Sequence, residues 1–144
     1  MIEQDTVKLL RECDAGVKMG ITSIKDVLDN VHSDAMRKTL IDCKREHDKL
    51  DREIREQLDK YGDDGKNPNP VAQSMSWIKT NVKLMVNDSD KTVAGLMTDG
   101  CNMGVKSLNQ YLNQYKAADE KSKDITKKLI KIEQGLATDL RTYL

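Results

Sequence analysis

Phenylalanine is absent from these 144 residues, and aromatics of all kinds make up only 3%. A core of stacked rings is thereby excluded. The interior has to come from Leu, Ile, Val and Met, side chains that suit helix packing. An excess of one charge is missing too: 24 basic residues balance 24 acidic ones, which removes the electrostatic argument for nucleic acid or an anionic membrane surface. No apolar run approaches the ~18 residues a membrane span needs. No basic segment followed by an apolar core opens the chain, which argues against a signal peptide. The three cysteines are an odd number without disulfide-framework spacing, and this favours a reducing compartment. There is no phosphate-binding glycine loop, no Cys-x-x-Cys, no Ser-centred elbow and no basic stripe with aromatics. The expectation is a soluble, cytoplasmic protein without a sequence signature for a reaction.

What is there is helical periodicity. Charged residues form 33% of the chain and are spread along it, as on the wet faces of helices. Residues 2–31 carry Val7, Leu10, Val17, Ile21, Ile24, Leu28 and Val31 at alternating spacings of three and four, one stripe of an α-helix. Gly16 and Gly20 lie inside it, where glycine costs ~1 kcal/mol relative to Ala and points to a second helix coming close. Ser33 is a good N-cap for a helix over 34–61, with its stripe at Met36, Leu40, Cys43, His47, Leu50, Ile54, Leu58 and Tyr61. The segment 62–70 is rich in Gly, Asp, Asn and Pro; Gly62 fits a helix C′ position and Pro70 the first turn of the next helix.

A shorter helix over 70–87 is apolar over a wide arc (Val71, Met75, Ile78, Val82 and Met85, flanked by Trp77, Leu84 and Val86). It reads as a helix lying across a bundle whose outer side can meet another subunit. Helices over 90–115 and 119–143 complete the chain. A short stretch also occurs twice: Cys13-Asp14-Ala15-Gly16-Val17-Lys18 returns as Cys101-Asn102-Met103-Gly104-Val105-Lys106. The expected architecture is all-α: a single domain, 1–144, built as a four-helix bundle of two antiparallel helical hairpins joined by a crossover that contains the shorter helix.

On this helix order, on the segment Val71-Ala72-Gln73-Ser74-Met75-Ser76-Trp77-Ile78-Lys79 and on Asp99-Gly100-Cys101-Asn102-Met103-Gly104, nearly the whole chain resembles an uncharacterised bacterial ferritin-like family, a domain of unknown function. The resemblance implies a ferritin-like bundle with distant kinship to di-iron carboxylate proteins. A di-iron bundle takes a Glu from each of two helices and a Glu-x-x-His from each of the other two. No Glu-x-x-His is present here, and Asn102 and Val105 stand where the family often has carboxylates.

Two polar residues interrupt the apolar stripes, Asp14 and His47. Aligning Leu50 with Leu136 and Ile54 with Leu140 sets His47 against Glu133, while Asp14 corresponds to Asn102. Helical rise then places all four near mid-bundle. One reading is a hydrogen-bonded polar layer that fixes helix register. Another is a metal site for iron or zinc: Cys43 and His47, four apart, share a helix face, and Asp14 or Glu133 could add a ligand. The functional expectation is a non-enzymatic bundle with no required cofactor, acting through self-association (a homodimer through 70–87) or partner binding. The alternatives are a metal-binding or redox bundle using His47, Asp14, Cys43 and Glu133, and a small-molecule pocket between the helices.

Overall fold

The computed structural model describes residues 2–66 and 89–144. The described residues form four α-helices, α1 (Ile2–Leu28), α2 (Asp34–Lys60), α3 (Asp90–Gln114) and α4 (Glu120–Asp139), followed by a 3-10 turn over Arg141–Tyr143. No strand occurs among them. The helices expected over 2–31, 34–61, 90–115 and 119–143 are thus present with ends shifted by a few residues. The expected helix over 70–87 lies outside the described residues. No described helix is long and apolar enough to cross a membrane.

The helix ends follow local chemistry. Ser33 Oγ accepts from the Met36 amide at 3.2 Å, Ser89 Oγ from Thr92 at 3.2 Å, and Asp119 Oδ1 from Ser122 at 2.8 Å. Each supplies an acceptor for an amide that has no partner within its helix. α2 stops in a Schellman motif: the Asp63 amide reaches back to the Leu58 carbonyl and Gly62 to Asp59, both at 3.1 Å. The motif needs a left-handed residue, and Gly62 supplies it at φ +62°.

Contacts at the two ends set the direction of each helix. At one end, Asp90 at the start of α3 accepts from the backbone amides of His32 and Ser33, at 2.7 and 2.9 Å. At the other, Asp5 accepts from the Ala117 amide at 2.9 Å and Thr6 Oγ1 from Asp119 at 2.8 Å. Taking α1 as up, α2 and α3 run down and α4 runs up. The chain leaves α2 at the lower end and enters α3 at the upper end. The link between residues 66 and 89 therefore joins opposite ends of a bundle about 40 Å long, from 27 residues at 1.5 Å rise.

Around the bundle α1 neighbours α2 and α3, and α4 neighbours the same two. All four neighbouring pairs are antiparallel. α1 also touches α4 across the diagonal, in parallel register. Thr6 meets Asp119, Cys13 meets Thr126, Gly16 faces Leu129 and Gly20 faces Glu133, always 113 residues apart. Small residues on α1 make this approach possible, as the glycines at 16 and 20 suggested. The buried face of α1 is accordingly wider than the stripe expected for it, of which Leu10, Val17 and Ile24 are buried. Thr6, Leu9, Cys13, Asp14, Ser23 and Val27 are buried, whereas Val7, Ile21 and Leu28 are half-buried.

Two apolar clusters fill the interior. The upper one gathers Ile24, Val27, Met36, Leu40, Cys43, Val93, Met97, Cys101, Leu136 and Leu140. The lower one gathers Leu10, Cys13, Val17, Leu50, Ile54, Leu58, Leu108, Ile125, Leu129 and Ile130. His47 lies between them along α2, after Cys43 of the upper cluster and before Leu50 of the lower.

Candidate functional site

His47 projects from α2 into the bundle and is 1% exposed. Its ring has room because α1 presents Gly20 at that level: a Cβ there would lie 2.5 Å from Nε2, closer than atoms can approach. Both ring nitrogens are engaged. Nδ1 lies 2.9 Å from the carbonyl oxygen of Cys43, one turn back on the same helix, and 3.6 Å from Cys43 Sγ. Nε2 lies 3.0 Å from Glu133 Oε1 on α4, whose side chain is 13% exposed.

Burial alone would favour the neutral imidazole. The hydrogen bonds to Cys43 and Glu133, with the charge of the Glu133 carboxylate, outweigh it and raise the His47 pKa from 6.5 to about 10. At neutral pH the ring is therefore an imidazolium. Nδ1–H donates to the Cys43 carbonyl and Nε2–H to the Glu133 carboxylate. Cys101 of α3 adjoins the same carboxylate; burial first, and then the charge of Glu133, push its thiol up. Gly104, one turn further along α3, leaves space beside the Glu133 side chain. The belt is thus an ion pair set between two apolar clusters, and every helix contributes to its walls.

Asp14 is not part of this belt. Gly20, not Asp14, is level with His47, and six residues of helix separate the two by about 9 Å. Asp14 is buried against the loop that follows α2. Its Oδ2 accepts from Lys18 Nζ and from the Lys66 amide, both at 2.9 Å, and Arg55 lies 3.6 Å from Oδ1. Gly65, at φ +86°, closes over the carboxylate, and any Cβ there would collide with it. Around this point Arg11 pairs with Asp63, and Lys66 Nζ reaches Glu12 at 2.6 Å. The aspartate is a latch that holds residues 62–66 against α1.

Asn102 also falls outside the belt. It is exposed on α3, so the two copies of the repeated stretch present their second residue to opposite environments. Of the four residues expected to meet, His47 and Glu133 do, Cys43 joins them, and Asp14 and Asn102 do not. For Asp14 the physical reason is that the small residues of α1 face α4, which leaves Asp14 on the side of Arg55 and the loop after α2.

The donor set does not suit one resident ion. An imidazole offers its nitrogens in opposite directions, and here Nδ1 faces Cys43 while Nε2 faces Glu133. Among the described residues no three His, Cys, Asp or Glu side chains are placed to share a metal ion. Gly20 and Cys101 belong to the site yet were not singled out for it from the sequence. A glycine at the level of a lone core histidine, four residues after another glycine, is the signal that could have found Gly20.

Comparison of the chain with protein-family models, with curated proteins and with solved structures finds no match.

Proposed function

We propose that this chain is a ferritin-like helical-bundle protein without a reaction of its own, which works through self-association, as a dimer formed through the 70–87 segment, or through contact with a partner. The observation that carries this reading is the closure of the mid-bundle belt. The histidine and carboxylate that a ferritin-like centre would turn toward a metal or substrate are here engaged with each other, with both nitrogens of His47 committed. The up, down, down, up order of α1 to α4 supports the topological part, since one long crossover between two hairpins is the ferritin-like arrangement. The apolar residues of 70–87, Val71, Met75, Ile78, Val82 and Met85 among them, support the association part.

Size-exclusion chromatography with light scattering, over a range of concentrations, tests it. A dimer that Trp77→Glu converts to a monomer is the expected result. A strict monomer at every concentration removes self-association and leaves partner contact alone.

The alternative is a metal-binding or redox bundle. The convergence of Cys43, His47 and Glu133 at one level favours it, although a single ion would require the His47 ring to turn. Elemental analysis of protein purified without an affinity tag decides. Stoichiometric iron or zinc would replace the first reading with this one.

A further inference from the structure

The three cysteines of the chain are buried and unbridged, yet they do not share one chemistry. Cys13 is fully enclosed, its sulfur 3.1 Å from Thr126 Oγ1. Burial pushes its thiol up to about 12. Cys101 is 2% exposed and adjoins the Glu133 carboxylate, and a negative neighbour disfavours a second negative charge. Cys43 differs in both access and company. It is 9% exposed, and its Sγ lies 3.6 Å from Nδ1 of His47, whose opposite nitrogen is held by Glu133 at 3.0 Å. A sulfur, an imidazole nitrogen beside it and a carboxylate orienting that imidazole is the spatial order of an activated nucleophile. The ring edge stands 3.6 Å from the sulfur, so His47 faces the charge that develops there as the thiol reacts.

We propose that Cys43 is a peroxide-sensitive thiol, oxidised in preference to Cys13 and Cys101, with His47 as its positioning residue and Glu133 holding the ring. The Cys43 sulfur donates an electron pair to one oxygen of hydrogen peroxide. The S–O bond forms as the O–O bond breaks, the sulfur gives up its proton, and the departing hydroxide takes that proton and leaves as water. Sulfur is oxidised by two electrons and the peroxide is reduced. The product is a sulfenic acid, which a thiol reductant returns to the thiol. Because Cys43 belongs to the upper apolar cluster, the added oxygen falls on the boundary between that cluster and the belt.

The test treats the folded protein with hydrogen peroxide in the presence of dimedone, a sulfenic-acid trap. Mass spectrometry follows the three cysteine peptides with time. Cys43 is expected to be tagged at least about tenfold faster than Cys13 or Cys101, as for a thiol beside a cation. The preference should vanish in guanidinium, where His47 no longer stands beside the sulfur. Folded His47→Gln should slow Cys43 alone, whereas mere loosening of the bundle would speed all three. Equal rates at the three cysteines of the folded wild type overturn the proposal, as does an unchanged Cys43 rate in folded His47→Gln. If that variant does not fold, the wild-type comparison decides by itself.

Discussion

Asp14 and Glu133 are two carboxylates taken out of water in one bundle, and they are neutralised in opposite ways. Asp14 meets the ends of long side chains. Lys18 and Arg55 are 30% and 39% exposed, so their alkyl stems lie on the protein while their charges reach solvent. Glu133 meets an imidazolium that is 1% exposed and walled in by Gly20. Losing Asp14 leaves cations that can turn outward. Losing His47 leaves a carboxylate between apolar clusters with no replacement. Burial of the carboxylate alone, 1% exposed for Asp14 and 13% for Glu133, therefore does not set the cost; what matters is where the partner goes when the pair is broken.

That contrast sets the largest expected effect. His47→Ala should destabilise the protein by about 3–5 kcal/mol, as removal of one partner from a buried pair does. Asp14→Ala should cost about 1–3 kcal/mol, for a lost latch with solvated remnants. Urea denaturation of both variants measures the difference, and similar values would break the comparison. Replacing both belt partners, as His47→Leu with Glu133→Leu, should restore most of the loss, because a buried ion pair exchanged for packed hydrophobes is often neutral or better.

The next effect sharpens the belt side by pH. His47 takes up its proton at about 10 in the fold and at 6.5 in the unfolded chain. The folded form binds more protons between those values. Its contribution is fully present below about pH 6.5 and is lost as pH rises through about 10. The urea midpoint of the wild type should fall across this interval. The doubly substituted leucine variant should show a shallower fall, and an identical one would contradict a charged His47.

A smaller effect probes the wall. Gly20→Ala should cost about 1–3 kcal/mol, because its Cβ overlaps the imidazole and overpacking strains a core. Gly16→Ala meets Leu129 at 3.6 Å, an ordinary contact, and should stabilise by up to about 1 kcal/mol, the helix-interior cost of glycine. Thermal unfolding of the pair separates the two. Smallest of all, Gly62→Ala should cost about 1 kcal/mol, the strain of a side chain at positive φ. It touches neither carboxylate and should leave the Asp14 and His47 variants' difference unchanged.

The helices differ in how much of them could be read in advance. On α2 every member of the expected stripe from Met36 to Leu58 is buried, His47 included, because large apolar residues carry the period. On α1 the stripe was right in part: Leu10, Val17 and Ile24 are buried, whereas Val7, Ile21 and Leu28 are half-buried. Its close side toward α4 is lined by Thr6, Cys13, Gly16 and Gly20, and small or polar side chains leave little trace in a hydropathy pattern. The burial of Asp14 was legible as an odd member of a core series, but its partners were not. Lys66 and Gly65 follow α2 in a loop, and nothing periodic ties them to α1.

From residues alone came the four described helices, their caps at Ser33 and Gly62, the short turns that force neighbours antiparallel, and the polar slots at 47 and 133. These depend on spacing and on interactions within a few residues of chain. The tertiary structure alone decided that His47 pairs with Glu133 while Asp14 turns to Arg55 and the loop. Such choices rest on the rotation and register of helices far apart in sequence. Those are set by where small residues let backbones approach, and no local pattern encodes them.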